Sequence, residues 1–277
     1  MYEIKLAPGK GLGMFAKSMI RRGIRIIEEE ALMVVPEMSY SAVLPVFARL
    51  GPKEKAVFME LAGAEDEDEA ENLAWYMAEA DKDVDPHDRM PMRYEDQAAV
   101  QLIFGSKSFN MTAHTSGIFP IASRMNHSCI PNVYHTWNRN INRLTVHALR
   151  NIAPGEELLT TYIPAILTLE QRNDDEHLGD YGFTCSCPAC DPKSKFFRQS
   201  VFRRASAVAI EGQMASYLAS GNLRDAFVRN TVPFSSMEAL RYAKIRVNLL
   251  MEEGIMNMDL VKWHVTLPST PSGVELY

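Results

Sequence analysis

The sequence predicts an α+β fold in which short antiparallel sheets carry a helical insertion and a helical C-terminal extension. Three observations support this fold class. Short β-rich runs alternate with glycine turns before residue 36, and similar runs return after residue 118. Apolar residues recur at helical spacing between these two regions and again beyond residue 193. A chain of 277 residues, 47% of them hydrophobic, is large enough to bury a substantial core.

The β-rich runs predict strands on both sides of the insertion. The predicted strands are Tyr2 to Leu6, Met14 to Lys17, Ile24 to Val35, Val133 to Trp137, Leu144 to Ala148 and Glu157 to Tyr162. The last two are joined through Ala153-Pro154-Gly155-Glu156, where the Pro-Gly pair suits a type II turn.

Residues 37–107 are predicted to form the helical insertion. Its apolar residues at helical spacing are Val43, Val46, Phe47, Leu50, Val57, Phe58, Leu61 and Ala62. The acidic run from Glu65 to Glu71 is interpreted as a solvated surface, with a docking site for basic peptides as the alternative.

Residues 193–277 are predicted to form a helical extension with an apolar face and a solvated basic side. The basic residues expected on the solvated side are Lys193, Lys195, Arg198, Arg203 and Arg204. A basic docking patch is the alternative interpretation.

Composition narrows the function classes. A formal net charge of −6 disfavours direct binding to nucleic acid, because such binding needs a broad positive field. No apolar stretch approaches the roughly 20 residues of a membrane helix, and the first 30 residues lack the pattern of a secretory signal. We therefore expect an intracellular, soluble protein without a membrane partner.

The cysteines predict a metal site. Three of the four lie in Cys185-Ser-Cys187-Pro-Ala-Cys190, a cluster too tight for a disulfide framework across a secreted fold. Tetrahedral zinc needs a fourth soft ligand, which Cys129 supplies if folding brings it close. Ordinary reduced cysteines are the alternative.

Two polar segments are candidate ligand sites. The loop from Gly9 to Gly13 lacks the Gly-Lys-Ser/Thr sequence of a phosphate-binding loop, so it is either a plain turn or a place where backbone groups approach a ligand closely. The segment from Ser123 to Asn132 is polar but flanked by apolar residues, which predicts that it is drawn into the core. Local turns, with His127 bonded to backbone, are the alternative for this segment.

Four aromatic residues accompany these segments. Tyr162 ends a predicted strand, Tyr181 and Phe183 precede the cysteine cluster, and Phe109 follows the insertion. Aromatic residues beside a metal site usually belong to the core. Together they could instead line an apolar tunnel that favours a cation or a methylammonium group.

Taken in order, the motifs resemble those of SET-domain proteins over residues 1 to about 192. The motifs are Gly-Lys-Gly-Leu-Gly13 with Phe15-Ala16, Asn126-His-Ser-Cys-x-Pro-Asn132, Gly155-Glu-Glu-x4-Tyr162 and Tyr181-x-Phe-x-Cys-x-Cys-x2-Cys190. The resemblance is to the branch with the SET-MYND lysine methyltransferases and fungal SET proteins. Residues 37–107 contain no cysteine, so the insertion has no MYND zinc finger.

The resemblance implies an S-adenosylmethionine-dependent lysine N-methyltransferase acting on a histone or another protein in the nucleus or cytoplasm. Residues 1–36 and 108–165 are then the two parts of the SET domain, and residues 166–192 are the post-SET zinc segment. The implied cofactor-binding residues are Lys10, Gly11, Leu12, Asn126, His127, Tyr162 and Phe183, with Tyr162 as the catalytic residue. The implied residues flanking the lysine channel are Phe109 and Tyr181, and the implied ligands of one structural Zn²⁺ are Cys129, Cys185, Cys187 and Cys190.

One residue departs from the pattern. Relatives often have an asparagine two residues before the aromatic that matches Phe109, whereas this chain has Lys107. A catalytically inactive SET-fold binding or scaffold module is therefore the second hypothesis. A purely structural zinc protein is the third, but it leaves Asn126, His127 and Tyr162 without a joint purpose.

Overall fold

A computed structural model describes residues 1–36, 40–61, 67–174, 177–219 and 236–256. These residues adopt the predicted α+β fold. The chain divides into two compact units: residues 1–126, 132–160 and 180–182 form the first, and residues 127–131, 161–179 and 183 onward form the second. Within the described ranges, no helix combines the length and the apolar character needed to cross a membrane.

The first unit contains the sheets, all of them antiparallel in their described pairings. Its strands are β1 (Tyr2–Ala7), β2 (Gly11–Ala16), β3 (Arg25–Glu29), β4 (Met33–Pro36), β5 (Ser108–Thr112), β6 (Thr115–Ile118), β7 (Asn126–His127, whose second residue belongs to the second unit), β8 (Val133–Asn138), β9 (Arg143–Ala148) and β10 (Leu159–Thr160). β1 pairs with β2, β9 lies between β3 and β8, and β6 lies between β4 and β5. Met14, Phe119 and Val146 are central members of the core that these sheets bury.

The insertion contributes a second apolar cluster to this unit. Its helices are α1 (Tyr40–Ala48), α2 (Pro52–Met59), α3 (Glu67–Ala80) and α4 (Tyr94–Lys107). Val43, Phe47 and Phe58, three of the residues at helical spacing, are buried together with Val100 and Ile103. Ala62 and the start of the acidic run lie outside the described residues, while Asp68, Glu69 and Glu71 are exposed, as a solvated surface requires.

The predicted strand from Ile24 to Val35 is divided between two sheets. The chain leaves β3 at Glu29, whose buried carboxylate accepts hydrogen bonds from the backbone N–H groups of Ile121 (2.7 Å) and Ala122 (2.9 Å). This carboxylate therefore fixes the short 3₁₀ helix Ala122–Arg124 that leads into the polar segment. Burial raises the pKa of Glu29 despite these two bonds.

The turn before Glu157 is the type II turn that the sequence predicts. Gly155 has φ +79°, and the N–H of Glu156 donates to the carbonyl of Ala153 at 3.1 Å. The regular strand that follows is shorter than predicted and consists of Leu159–Thr160 alone.

The second unit is helical, with α5 (Leu169–Arg172), α6 (Phe197–Ala219) and α7 (Ser236–Glu253). The predicted solvated basic side is wrong for two of its residues, because Arg203 and Arg204 are 7% and 1% exposed. The carboxylate of Glu253, 1% exposed, lies 2.9 Å from Arg203 Nε and 2.6 Å from Arg204 Nε. This buried carboxylate near the end of α7 allows α6 to bury charge that the local sequence pattern assigns to solvent.

Candidate functional site

The glycine loop forms the tip of the β1–β2 hairpin. Gly11 has φ +68°, a left-handed conformation that side chains other than glycine rarely adopt, and Ala7 pairs with it across the hairpin. Gly13 is needed for a different reason. A Cβ atom there would lie 2.8 Å from Glu157 Oε1 and 3.0 Å from Asn126 Nδ2. The missing side chain at Gly13 therefore makes room for two polar side chains.

Asn126 is held by two bonds from its amide nitrogen. Nδ2 donates to the carbonyl of Leu12 at 3.1 Å and to Glu157 Oε1 at 2.8 Å. These bonds occupy both N–H groups of the amide and orient Oδ1 as the remaining acceptor. Glu157 Oε2 also lies 3.0 Å from Lys10 Nζ. Two residues predicted to bind the cofactor, Lys10 and Asn126, thus contact Glu157, a residue to which the sequence assigned no role.

The four cysteines lie together in the second unit. Their sulfur atoms are all within 4.8 Å of one another, and Cys129 Sγ lies 3.9 Å from Cys185 Sγ and 3.5 Å from Cys190 Sγ. Sulfur contacts of this group, above all between Cys129 and Cys185, lower the pKa of Cys185 and raise the pKa of Cys129. The sulfurs are therefore too close together to ionise independently.

This donor set fits zinc. Four thiolates at about 2.3 Å from a tetrahedral Zn²⁺ are about 3.8 Å apart, which agrees with the sulfur separations in this group. Cys129 is more than 50 positions away from the Cys-x-Cys-x2-Cys cluster, so the fold brings in the fourth sulfur that the spacing alone left open.

His127 connects the cysteine group to Tyr162. The ring is 5% exposed, and its Nδ1 accepts a hydrogen bond from the backbone N–H of Tyr162 at 3.0 Å. A neutral imidazole that accepts at Nδ1 carries its proton on Nε2. Nε2 lies 3.3 Å from Cys129 Sγ and can therefore donate to that sulfur. His127 does bond to backbone, as one interpretation of this segment expected, but it also contacts the cysteine group.

Aromatic rings surround His127 within the second unit. Its ring centroid lies 5.3 Å from that of Tyr162 and 5.9 Å from that of Phe183. The rings of Tyr162 and Phe183 meet edge to face at 6.4 Å. Phe183 is 38% exposed, so part of its ring is accessible from solvent.

The remaining predicted residues lie in the first unit. Phe109, on β5, packs edge to face on Phe119 and on His135, with centroid separations of 5.8 and 4.9 Å. Tyr181 is half-buried at the end of the 3₁₀ turn Gly179–Tyr181. Lys107 is the last residue of α4, and its carbonyl accepts a hydrogen bond from Ser123 Oγ at 3.1 Å.

His135 was not predicted. Its Nδ1 lies 2.9 Å from Thr160 Oγ1, and burial lowers the pKa of His135 to about 4. The imidazole is therefore neutral at physiological pH. A single histidine within a strand gives no local signal that its imidazole is buried and neutral. The Gly-Glu-Glu motif, in contrast, did point to the neighbourhood of Glu157.

A comparison with protein families decides the family. A model of the SET domain matches residues 11–163, which is more than half of the chain. The chain belongs to the SET-domain family. The antiparallel sheets with several helices are the SET-domain fold that the motifs predicted.

The SET chain is similar to several curated proteins. It is 31% identical over 218 residues to histone-lysine N-methyltransferase set5 of Schizosaccharomyces pombe, covering 78% of this chain and 58% of that protein. It is 39% identical over 113 residues to N-lysine methyltransferase SMYD2 of Gallus gallus (38% of this chain, 25% of that protein) and 46% identical over 81 residues to SMYD2 of Homo sapiens (29% and 18%). The SET chain thus spans little more than half of set5 and a quarter or less of these SMYD2 proteins.

Proposed function

We propose that this SET chain is an S-adenosylmethionine-dependent protein-lysine N-methyltransferase, acting on a lysine of a histone or another protein in the nucleus or cytoplasm. The observation that carries the proposal is the fixed tautomer and ring orientation of His127, which bonds to the backbone N–H of Tyr162 on one side and contacts Cys129 Sγ on the other. The family match and the lysine methyltransferase activities for which set5 and SMYD2 are named support the same reaction.

Each predicted residue has a proposed role. Lys10, Gly11 and Leu12 contact the methionine part of the cofactor, and Asn126 accepts from its ammonium group through Oδ1. His127 and Phe183 contact the adenine, and the proposed flanks of the lysine channel are Phe109 and Tyr181. The orientation of Asn126 supports its role, because its N–H groups already bond to Leu12 and Glu157.

Positioning and desolvation supply most of the proposed catalysis. The cofactor supplies the electrophilic methyl group. A lysine amine attacks only when neutral, and its ordinary pKa of about 10.4 sets a cost of about 4 to 5 kcal/mol at pH 7. An apolar channel disfavours the ammonium form and lowers this cost. The Tyr162 hydroxyl then orients the amine and the methyl group in line, so no general base is required.

We also propose that Cys129, Cys185, Cys187 and Cys190 hold one structural Zn²⁺. All four positions are thiolate donors, which leaves no open coordination site for catalysis. The sulfur separations and the link from Cys129 to His127 support this assignment. The metal would then join the two segments that carry His127 and Phe183. The proposed segments remain those that the motifs imply. The SET domain comprises residues 1–36 and 108–165, with the insertion at 37–107, the post-SET segment at 166–192 and the helical extension at 193–277.

Cofactor binding tests the proposal. Zinc-loaded protein is titrated with S-adenosylmethionine and S-adenosylhomocysteine by calorimetry, and the titration is repeated with Asn126→Ala and Phe183→Ala. The proposal predicts binding by the wild type and strongly weakened binding by both variants. An absence of binding to the zinc-loaded wild type would instead favour an inactive SET-fold binding module, the hypothesis that Lys107 supports.

A further inference from the structure

Two buried arginines are bonded to the backbone around the cysteine group. Arg172 and Arg204 are 0% and 1% exposed. Arg172 Nη2 donates to the carbonyl of Ala189, which lies between the last two cysteines of the cluster, at 3.1 Å. Arg204 Nη2 donates to the carbonyl of Cys129 at 2.6 Å. Both guanidinium groups are thus attached to segments that carry the sulfurs.

Among the described residues of this unit, the buried carboxylates that could balance these arginines are fewer than the arginines. Glu253 is bonded to both Arg203 and Arg204, so one negative charge serves two positive ones. Arg172 has no carboxylate bonded to it among the described residues, and its Nε and Nη1 find no hydrogen-bond acceptor there. Another buried arginine of this unit, Arg246, is paired separately with Glu211 at 2.6 Å.

The resulting charge surplus is +2. With the Arg246–Glu211 pair set aside, the described buried side chains of the second unit include three guanidinium groups, those of Arg172, Arg203 and Arg204, and one carboxylate, that of Glu253. Uncompensated buried charge is strongly unfavourable, because the interior replaces little of the solvation that water provides. Zn²⁺ held by four thiolates carries a net charge of −2, which equals the surplus in magnitude.

We propose that the zinc-thiolate centre is the counter-charge of these buried arginines, and that Arg172 and Arg204 are positioning residues that strengthen metal binding. The inference rests on the proposed zinc site. With one Zn²⁺ bound, the four thiolates and the metal together carry −2, next to the two guanidinium charges that the Glu253 carboxylate leaves unbalanced. The buried charges of the loaded unit are then balanced. The arginines of α5 and α6 thereby couple the helical extension to the metal.

Arg172 gives the sharper test because no carboxylate of the described residues is bonded to it. Replacing it by methionine removes one of the positive charges that balance the loaded zinc-thiolate centre. Zinc affinity therefore falls, by roughly 10- to 100-fold, the usual effect of losing a group that supports metal ligands. The loaded protein also melts at a lower temperature, while the metal-free protein does not.

The experiment uses the full chain and competition for Zn²⁺ with a chromophoric chelator. Arg172→Lys keeps the charge but not the planar fork, so it retains near wild-type zinc affinity. Arg246→Met is the matched control, since it removes a buried arginine that has its own carboxylate. Its zinc affinity is expected to equal that of the wild type.

Each outcome has one meaning. Weakened zinc binding in Arg172→Met alone supports the charge balance. Wild-type affinity in Arg172→Met, or an equal loss in Arg172→Lys, overturns it and assigns Arg172 to packing. The metal content of the purified wild type tests the underlying proposal separately, because less than one zinc per chain after loading would contradict the zinc site itself.

Discussion

Replacing Glu157 by glutamine is expected to weaken binding at the amino-acid end of the cofactor. The change keeps the shape of the side chain but removes the charge that holds Lys10 Nζ at 3.0 Å and Asn126 Nδ2 at 2.8 Å. Lys10 is 38% exposed, so its ion pair with Glu157 contributes little by itself. The bond from Asn126 is charge-assisted and worth about 1.5 to 3 kcal/mol.

The expected loss is smaller than that full value because glutamine retains an acceptor oxygen. The expected loss of binding free energy is about 1 to 2 kcal/mol, which corresponds to a roughly five- to thirtyfold weaker affinity for S-adenosylhomocysteine. Calorimetry compares this ligand with 5′-methylthioadenosine, which lacks the amino and carboxyl groups of methionine. Glu157→Gln is expected to weaken the binding of S-adenosylhomocysteine and to leave the binding of 5′-methylthioadenosine unchanged.

The same substitution at the adjacent residue provides the control. Glu156 bonds to Arg150 and Asn132 rather than to Lys10 and Asn126, so Glu156→Gln should leave the affinity for S-adenosylhomocysteine unchanged. Equal weakening of both ligands by Glu157→Gln would refute the reasoning, because it would indicate a general disturbance of the fold.

Three further predictions concern stability. Gly13→Ala should lower the free energy of unfolding, measured in urea, by about 1 to 3 kcal/mol, because its Cβ would lie 2.8 Å from Glu157 Oε1. Gly212→Ala on α6 is the control, since its Cβ would meet no atom within 4 Å, and it should not destabilise the chain. Equal effects of the two substitutions would contradict the close approach at Gly13. His135 has a folded pKa of about 4 and an unfolded pKa near 6.5, so the unfolded chain binds more protons between these values and the free energy of unfolding decreases as the pH falls. Between pH 7.5 and pH 5 this group alone should lower the free energy of unfolding by about 2 kcal/mol. His135→Asn should remove that part of the pH dependence, and a slope equal to that of the wild type would contradict the prediction. Cys129→Ser should reduce zinc content and the melting temperature of the purified protein, and a full zinc content in this variant would remove Cys129 from the ligand set.

The sequence predicted the elements whose signal is local. The Cys-x-Cys-x2-Cys spacing predicted a cluster of sulfurs, and the Pro-Gly pair predicted the turn at Gly155. The SET-domain motifs predicted the fold class. The sequence could not predict contacts between distant residues. Arg203 and Arg204 are buried because they bond to Glu253, which lies about 50 positions further along the chain.

The break in the predicted strand from Ile24 to Val35 has a similar cause. Nothing near Glu29 in the sequence indicates that its carboxylate binds backbone groups some 90 positions away. The Gly-Glu-Glu motif includes Glu157, but the sequence assigned this residue no role. Only the folded chain shows that the carboxylate of Glu157, and not that of Glu156, faces Lys10 and Asn126.

The most direct test of the proposed activity is the transfer of a labelled methyl group to lysine. Zinc-loaded wild-type protein and Tyr162→Phe are incubated with methyl-labelled S-adenosylmethionine and heat-inactivated cell protein, which is then hydrolysed and separated into amino acids. The proposal predicts label in methyl-lysine with the wild type and a strongly reduced amount with Tyr162→Phe. Wild-type protein that binds the cofactor but yields no labelled methyl-lysine would contradict the assignment as a lysine methyltransferase.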